Sequence, residues 1–173
     1  SNDVVFNNSV QNKETHFVDN FDSTELKKNW NFRRYPIKDI YKINKEENCL
    51  NLFCHPNQIK ERGRAALLGF KQTESDFEYL TQMYFQPKSR DSEAGISLFQ
   101  KDDNYINFTI IRKGDKYHLQ AYVVKNGEIL ELIKDQLKQY KGNIKLKVIA
   151  DKDVYRLYYS LKGMHFNLFT SLE

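Results

Sequence analysis

The chain has 173 residues, a formal net charge of +4 and 29% charged residues, with a mean hydropathy of −0.72. That length is enough for one domain with a real core, and no apolar run approaches the ~20 residues that a membrane-spanning helix needs. Lysine and arginine are scattered rather than gathered into a stripe, so neither nucleic acid nor a membrane is an expected partner.

Twelve Phe and eleven Tyr stand against one Trp and seven Gly, a balance that favours strands because rings pack well on a pleated surface. Residues 1–14 are polar, rich in Asn, Gln and Lys, and are expected to form a linker or disordered arm. The folded domain is then expected over residues 15–173. Its first apolar run is His16 to Phe21, followed by a segment in which Asp22 or Ser23 is placed to cap one short helical turn. Trp30 to Pro36 alternates aromatic and basic residues. Short strands are expected at Tyr41 to Asn44 and Cys49 to Phe53, then at Ala65 to Gln72 and Asp76 to Phe85. Cys49 and Cys54 are five apart in one extended stretch, which points them to opposite sides and argues against a disulfide between them.

The stretch from Glu93 to Asn107 reads as strand, tight turn, strand: Ile96 and Leu98 alternate, a polar Lys-Asp-Asp-Asn cluster breaks the run, and Tyr105, Phe108 and Ile110 resume it. Further on, Asn126-Gly127 sits between two apolar runs, and both residues accept the positive φ that a two-residue hairpin demands. Strands at Ile144 to Asp151, Val154 to Ser160 and His165 to Phe169 complete the chain. About a dozen short strands with turn signals between them and no long helix predict an all-β, two-sheet antiparallel β-sandwich.

Three constellations bear on chemistry. Glu74, Asp76 and Glu78 alternate and would share one strand face; paired carboxylates hydrolyse glycosidic bonds, although retaining chemistry wants them ~5–5.5 Å apart. The competing reading is a solvated strand edge. Trp30, Arg33 and Tyr35 combine rings with guanidinium donors, the residue types that hold sugars. A core plug at Trp30 is the alternative there. Asp19, Asp22, Asp102, Asp103 and Asp151 lie near strand ends, where a structural calcium ion is often held by oxygen ligands. No other cofactor is indicated, since there is no Cys/His metal spacing, phosphate loop or nucleophile elbow.

Phe21 to Leu26 with Trp30-Asn31-Phe32-Arg33, Leu68 to Gln72, Asp76-Phe77-Glu78, Glu93 to Ile96, Gln100 to Tyr105 and Tyr155 to Ser160 together resemble the C-terminal concanavalin-A-like module of family 43 glycoside hydrolases. These enzymes are the β-xylosidases and α-L-arabinofuranosidases. The resemblance runs over residues 17–170 and implies a concanavalin A-like jelly roll. It also implies a partner, an N-terminal catalytic propeller domain of the same polypeptide that carries the catalytic carboxylates, and with it a xylose- or arabinose-containing glycan. A secreted or periplasmic parent protein goes with that expectation. By itself the chain is then an accessory domain, and Glu74, Asp76 and Glu78 belong to modules that do no chemistry of their own. Contact with the catalytic domain or its sugar falls to Gly69-Phe70-Lys71-Gln72, where Phe70 and Lys71 replace the arginines of the family's Gly-Arg-Arg-Gln, with Gln72 retained. A carbohydrate-binding module acting through Trp30 and Tyr35 is the alternative, and a glycanase using Glu74 and Glu78 a further one. Glu93 is expected to pair with Arg33 or another inward base.

Overall fold

Apolar and polar residues alternate with period two along most of the chain, and the computed structural model turns that alternation into strands. It describes residues 3–11, 16–28, 30–32, 41–53, 68–70, 76–101 and 103–173. In chain order the strands are β1 (Asp3–Gln11), β2 (His16–Asp19), β3 (Trp30–Phe32), β4 (Tyr41–Asn44), β5 (Cys49–Phe53), β6 (Leu68–Phe70) and β7 (Phe77–Phe85). There follow β8 (Glu93–Lys101), β9 (Asn104–Lys113), β10 (Lys116–Lys125), β11 (Glu128–Gln136), β12 (Asn143–Asp151), β13 (Val154–Ser160) and β14 (Asn167–Leu172). Among the described residues there is no helix; the turn expected after Asp22 is a bend in which the Glu25 amide donates to Ser23 Oγ.

The larger sheet runs β14-β13-β12-β7-β1-β5-β4, with β2 also paired to β1; the smaller runs β11-β10-β9-β8, and β3 and β6 form a separate ribbon. Each pairing is antiparallel. The fold is the all-β antiparallel sandwich that the sequence predicts.

The core lies between the two sheets. Met83, Phe85, Leu146, Val148, Leu157 and Leu172 come from the larger sheet, and Ala94, Ile96, Phe108, Ile110, Leu119 and Ala121 from the smaller. On β12 the pleat is plain: Ile144, Leu146, Val148 and Ala150 are buried, while Lys145 and Lys147 point the other way. Burying each large apolar side chain of this kind contributes about 1.5–3 kcal/mol.

β1 departs from expectation. The polar arm predicted over residues 1–14 is instead, from Asp3 to Gln11, an interior strand with β7 along one edge and β5 and then β2 along the other. Two ladders satisfy its backbone, and Phe6 reaches the core at 9% exposure. Val4, Phe6 and Val10 keep the period-two spacing that strand formation requires, but polar residues between them hide it. The Asn126-Gly127 hairpin forms as expected, with φ of 51° and 78°.

Candidate functional site

Because strand residues alternate between faces, the residues of β8–β10 that do not enter the core line the outward face of the smaller sheet. Antiparallel register places them in rows. Ser97, Asn107 and Tyr122 form one row, Gly95, Thr109 and Gln120 the next, and Glu93, Ile111 and His118 the third. An outward sheet face normally carries solvated charges. Here Asn107, Thr109 and Gln120 are only 4–6% exposed, and Glu93, Ser97, His118 and Tyr122 around them are half-buried.

Glu93 is the centre of this face. Its Oε2 accepts from Thr109 Oγ1 at 2.7 Å and from Gln120 Nε2 at 2.8 Å, and the Tyr122 hydroxyl donates to the carboxylate at 3.0 and 3.1 Å. Asn107 Nδ2 in turn donates to the Tyr122 oxygen at 2.8 Å. Reaching Tyr122 takes the Glu93 side chain across two rows, a path on which Gly95 presents no side chain. Gly95 is required for another reason as well. A Cβ there would meet the Phe108 carbonyl oxygen and come within 2.8 Å of Thr109 Cα. The glycine allows close backbone approach.

Burial, followed by the Glu93 charge, raises the Tyr122 phenol far above its ordinary range. Burial, followed by Lys134, Lys116 and Lys113, lowers the His118 imidazole. Tyr122 therefore stays a donor and His118 stays neutral near pH 7. The buried side-chain atoms left without a hydrogen-bond partner among the described residues are Ser97 Oγ, Asn107 Oδ1 and His118 Nδ1, and all three belong to this face.

The other sequence candidates separate. Trp30 is 7% exposed and packs with Phe21 and Leu50 in a second, smaller core, stacked on Phe21 at 6.2 Å. Its Nε1 donates to Asp19 Oδ2 at 2.7 Å. A sugar platform needs an exposed ring, so Trp30 is a core plug in this fold. Asp19 is 3% exposed, and its second oxygen accepts from the Phe21 amide at 2.9 Å. Asp19 is thus occupied by protein donors. It lies in register with Asn8, then Thr81 and Leu146, which leaves Asp151 about 17 Å further along β12. Asp22 and Asp151 are exposed, and Asp19, Asp22 and Asp151 form no common calcium cage.

Asp76 precedes β7 and accepts from the Lys152 amide at 2.9 Å, pinning the β12–β13 turn; Glu78 follows on β7, half-buried. Asp76 thereby acts as a turn clasp. Asp103 and Asn104 hold the neighbouring hairpin. The Gly127 amide donates to the Asp103 carbonyl and the Asn126 amide to Asn104 Oδ1. Phe70 pairs through its backbone with Trp30 in the β3–β6 ribbon. Arg33, Tyr35, Cys54, Lys71, Gln72, Glu74, Asp102 and the Phe70 side chain lie outside the described residues. Within them Glu93 takes neutral donors. Cys49 is buried and unbridged.

Sequence reasoning named Glu93 as a candidate and did not name Asn107, Thr109, Gln120 or Tyr122. The available signal was uncharged polar residues at the outward positions of consecutive strands, where Lys and Glu are usual.

The family model that matches this chain describes the β-xylosidase C-terminal concanavalin A-like domain and covers residues 18–172. The chain belongs to that family. This C-terminal domain is also 26% identical, over 95 residues, to a xylosidase/arabinosidase of Butyrivibrio fibrisolvens, covering 55% of the chain and 18% of that protein. Among solved structures it superposes on the Bacteroides ovatus xyloglucan PUL GH43B protein with a TM-score of 0.81 at 17% identity, covering 89% of this chain and 30% of that one. The GH43 BlXynB protein of Bacillus licheniformis gives 0.80 at 20% identity, with 90% and 30% covered. The xylan β-1,4-xylosidase of Bacillus halodurans C-125 gives 0.81 at 19% identity, with the same coverages. The C-terminal domain thus spans under a third of the length of the structures it resembles.

Proposed function

We propose that this chain is the accessory β-sandwich of a family 43 glycoside hydrolase of the β-xylosidase/arabinofuranosidase type, supporting a catalytic propeller domain in the same polypeptide. The observation that carries the reading is the coverage: the similar structures account for about nine-tenths of this chain, yet the chain accounts for only 30% of each of them. The face around Glu93 is consistent with it. Glycoside hydrolysis uses two carboxyl groups flanking the scissile bond. Among the described outward residues of β8–β10, Glu93 is alone in carrying one. In this reading xylan-type pentosans are the parent enzyme's substrate, and Phe70, Lys71 and Gln72 complete the sugar pocket from the accessory side.

The test is hydrolysis of aryl xylosides and aryl arabinofuranosides by the purified chain. The expected result is no turnover above the uncatalysed rate. Robust turnover by pure chain overturns the proposal.

A further inference from the structure

We propose that the outward face of β8–β10 around Glu93 is a binding site for a small, neutral, hydroxyl-rich ligand, a sugar ring presented edge-on. This goes beyond the accessory role above and does not depend on it.

The first ground is placement. Sheet cores bury apolar groups, and buried polar atoms are nearly always hydrogen-bonded. Here Ser97 Oγ, Asn107 Oδ1 and His118 Nδ1 are buried without partners among the described residues, and all stand on one sheet face beside one carboxylate. Leaving each of them unsatisfied costs on the order of 1–3 kcal/mol. Asn107 is 4% exposed, so its amide is not a surface group that water satisfies freely.

The second ground is shape. Asn107, Thr109 and Gln120 are 4–6% exposed at the centre, and Glu93, Ser97, His118 and Tyr122 around them are half-buried. Three strands by three rows is about 10 by 14 Å, the footprint of roughly one or two pyranose rings.

The third ground is chemistry. The unused capacity is weighted towards acceptors: the Asn107 carbonyl oxygen, neutral His118 and the Glu93 Oε1 atom, which takes only Tyr122. Ser97 adds a hydroxyl that works both ways. Such a set suits a partner that donates through several hydroxyls. Anions such as phosphate bring mostly acceptors and meet the Glu93 charge. Hard cations want six or more oxygens with several carboxylates, and this face offers one. The three donors already on Glu93 fix its orientation, so an incoming hydroxyl meets an acceptor that is ordered before binding.

The experiment is a titration of the whole isotopically labelled chain with xylose, arabinose, xylobiose and inorganic phosphate, followed by nuclear magnetic resonance. A weak site, about millimolar, is expected for a sugar held by this many hydrogen bonds. The Asn107 side-chain amide, the His118 ring and the Ser97 amide should shift saturably with at least one sugar and not with phosphate. Glu93→Gln and Tyr122→Phe should each weaken that sugar by about tenfold or more, because a charge-assisted contact or its orienting donor is lost. Absence of saturable shifts with every sugar up to ~100 mM overturns the proposal, as do shifts centred elsewhere or a phosphate response at these residues. The wild-type titration decides even if a variant does not fold. Failure here leaves the aryl-glycoside result untouched, and the reverse also holds.

Discussion

Tyr122 and Glu93 sit on β10 and β8 with β9 between them, and the phenol reaches both carboxylate oxygens at 3.0 and 3.1 Å while accepting from Asn107. One hydroxyl therefore ties the three strands together on their outward face. Tyr122→Phe removes a donor from a carboxylate and leaves the Asn107 amide without its acceptor. The expected cost is about 1.5–3 kcal/mol. A lower urea midpoint with an unchanged m-value would show it; a midpoint equal to wild type would mean that the network adds nothing to the fold.

Gly95 governs how closely β8 approaches β9. Gly95→Ala drives a methyl group into the Phe108 carbonyl and the Thr109 Cα, both backbone atoms that cannot swing aside. The strands must separate locally, at a cost of about 1–3 kcal/mol. Thermal unfolding measures it, and Gly163→Ala makes a contrasting control: its Cβ meets no atom within 4 Å, although its φ of 61° adds backbone strain of its own.

Arg112 fastens the segment before β8 to the end of β9. Its guanidinium donates to the carbonyls of Gly114, Pro87 and Lys88 at 2.9, 2.7 and 2.6 Å. A planar fork with fixed donor directions reaches three acceptors at once, and an ammonium does not reproduce it. Arg112→Lys should therefore recover only part of the loss caused by Arg112→Ala, which is expected at about 2–3 kcal/mol. Faster hydrogen exchange at the Asp91 amide, which donates to the Arg112 carbonyl, would locate the loosening. Full rescue by Lys would argue that charge alone matters.

What the sequence made legible was local. Asn126-Gly127 announces its hairpin because the positive φ is a property of those two residues. The core faces of β7, β10 and β12 show through period-two alternation. β1 did not, because its stability comes from ladders to β5 and β7, far along the chain. Trp30 was ambiguous for a different reason. The same ring serves as plug or platform, and only the Asp19 contact and the cover of Phe21 and Leu50 decide. Around Glu93, the residues become neighbours only when three strands are in register, so no spacing within one strand reveals them.

Trp30 is the single tryptophan of the chain, so its fluorescence reports this second core directly. Buried against Phe21 and bonded to Asp19, it should emit at short wavelength and move to the red on unfolding. Asp19→Ala strips acceptors from the Trp30 indole and the Phe21 amide together. Each orphaned donor costs about 1–3 kcal/mol, and the emission should shift red before global unfolding. Trp30→Ala should cost about 3–5 kcal/mol as a core truncation. An already red-shifted native emission would contradict the buried placement.

Alkaline pH tests the buried phenols. Burial raises Tyr122, with Glu93 adding to it, and raises Tyr140, with Tyr117 and Tyr84 adding to it; both start from an ordinary value of 10.0. Below that value the phenols are neutral in folded and unfolded chains alike, and the stability tied to them is fully present. Above it the unfolded chain ionises while the folded chain keeps its protons, so stability falls as pH rises. The slope is up to about 1.4 kcal/mol per pH unit for each tyrosine. Urea midpoints should thus be insensitive to these groups up to pH 10 and fall steeply beyond it. Removing one titrating phenol flattens the fall, so Tyr122→Phe should show a lower midpoint at neutral pH and a shallower decline above pH 10. An equally steep decline in that variant would place the alkaline sensitivity elsewhere in the chain.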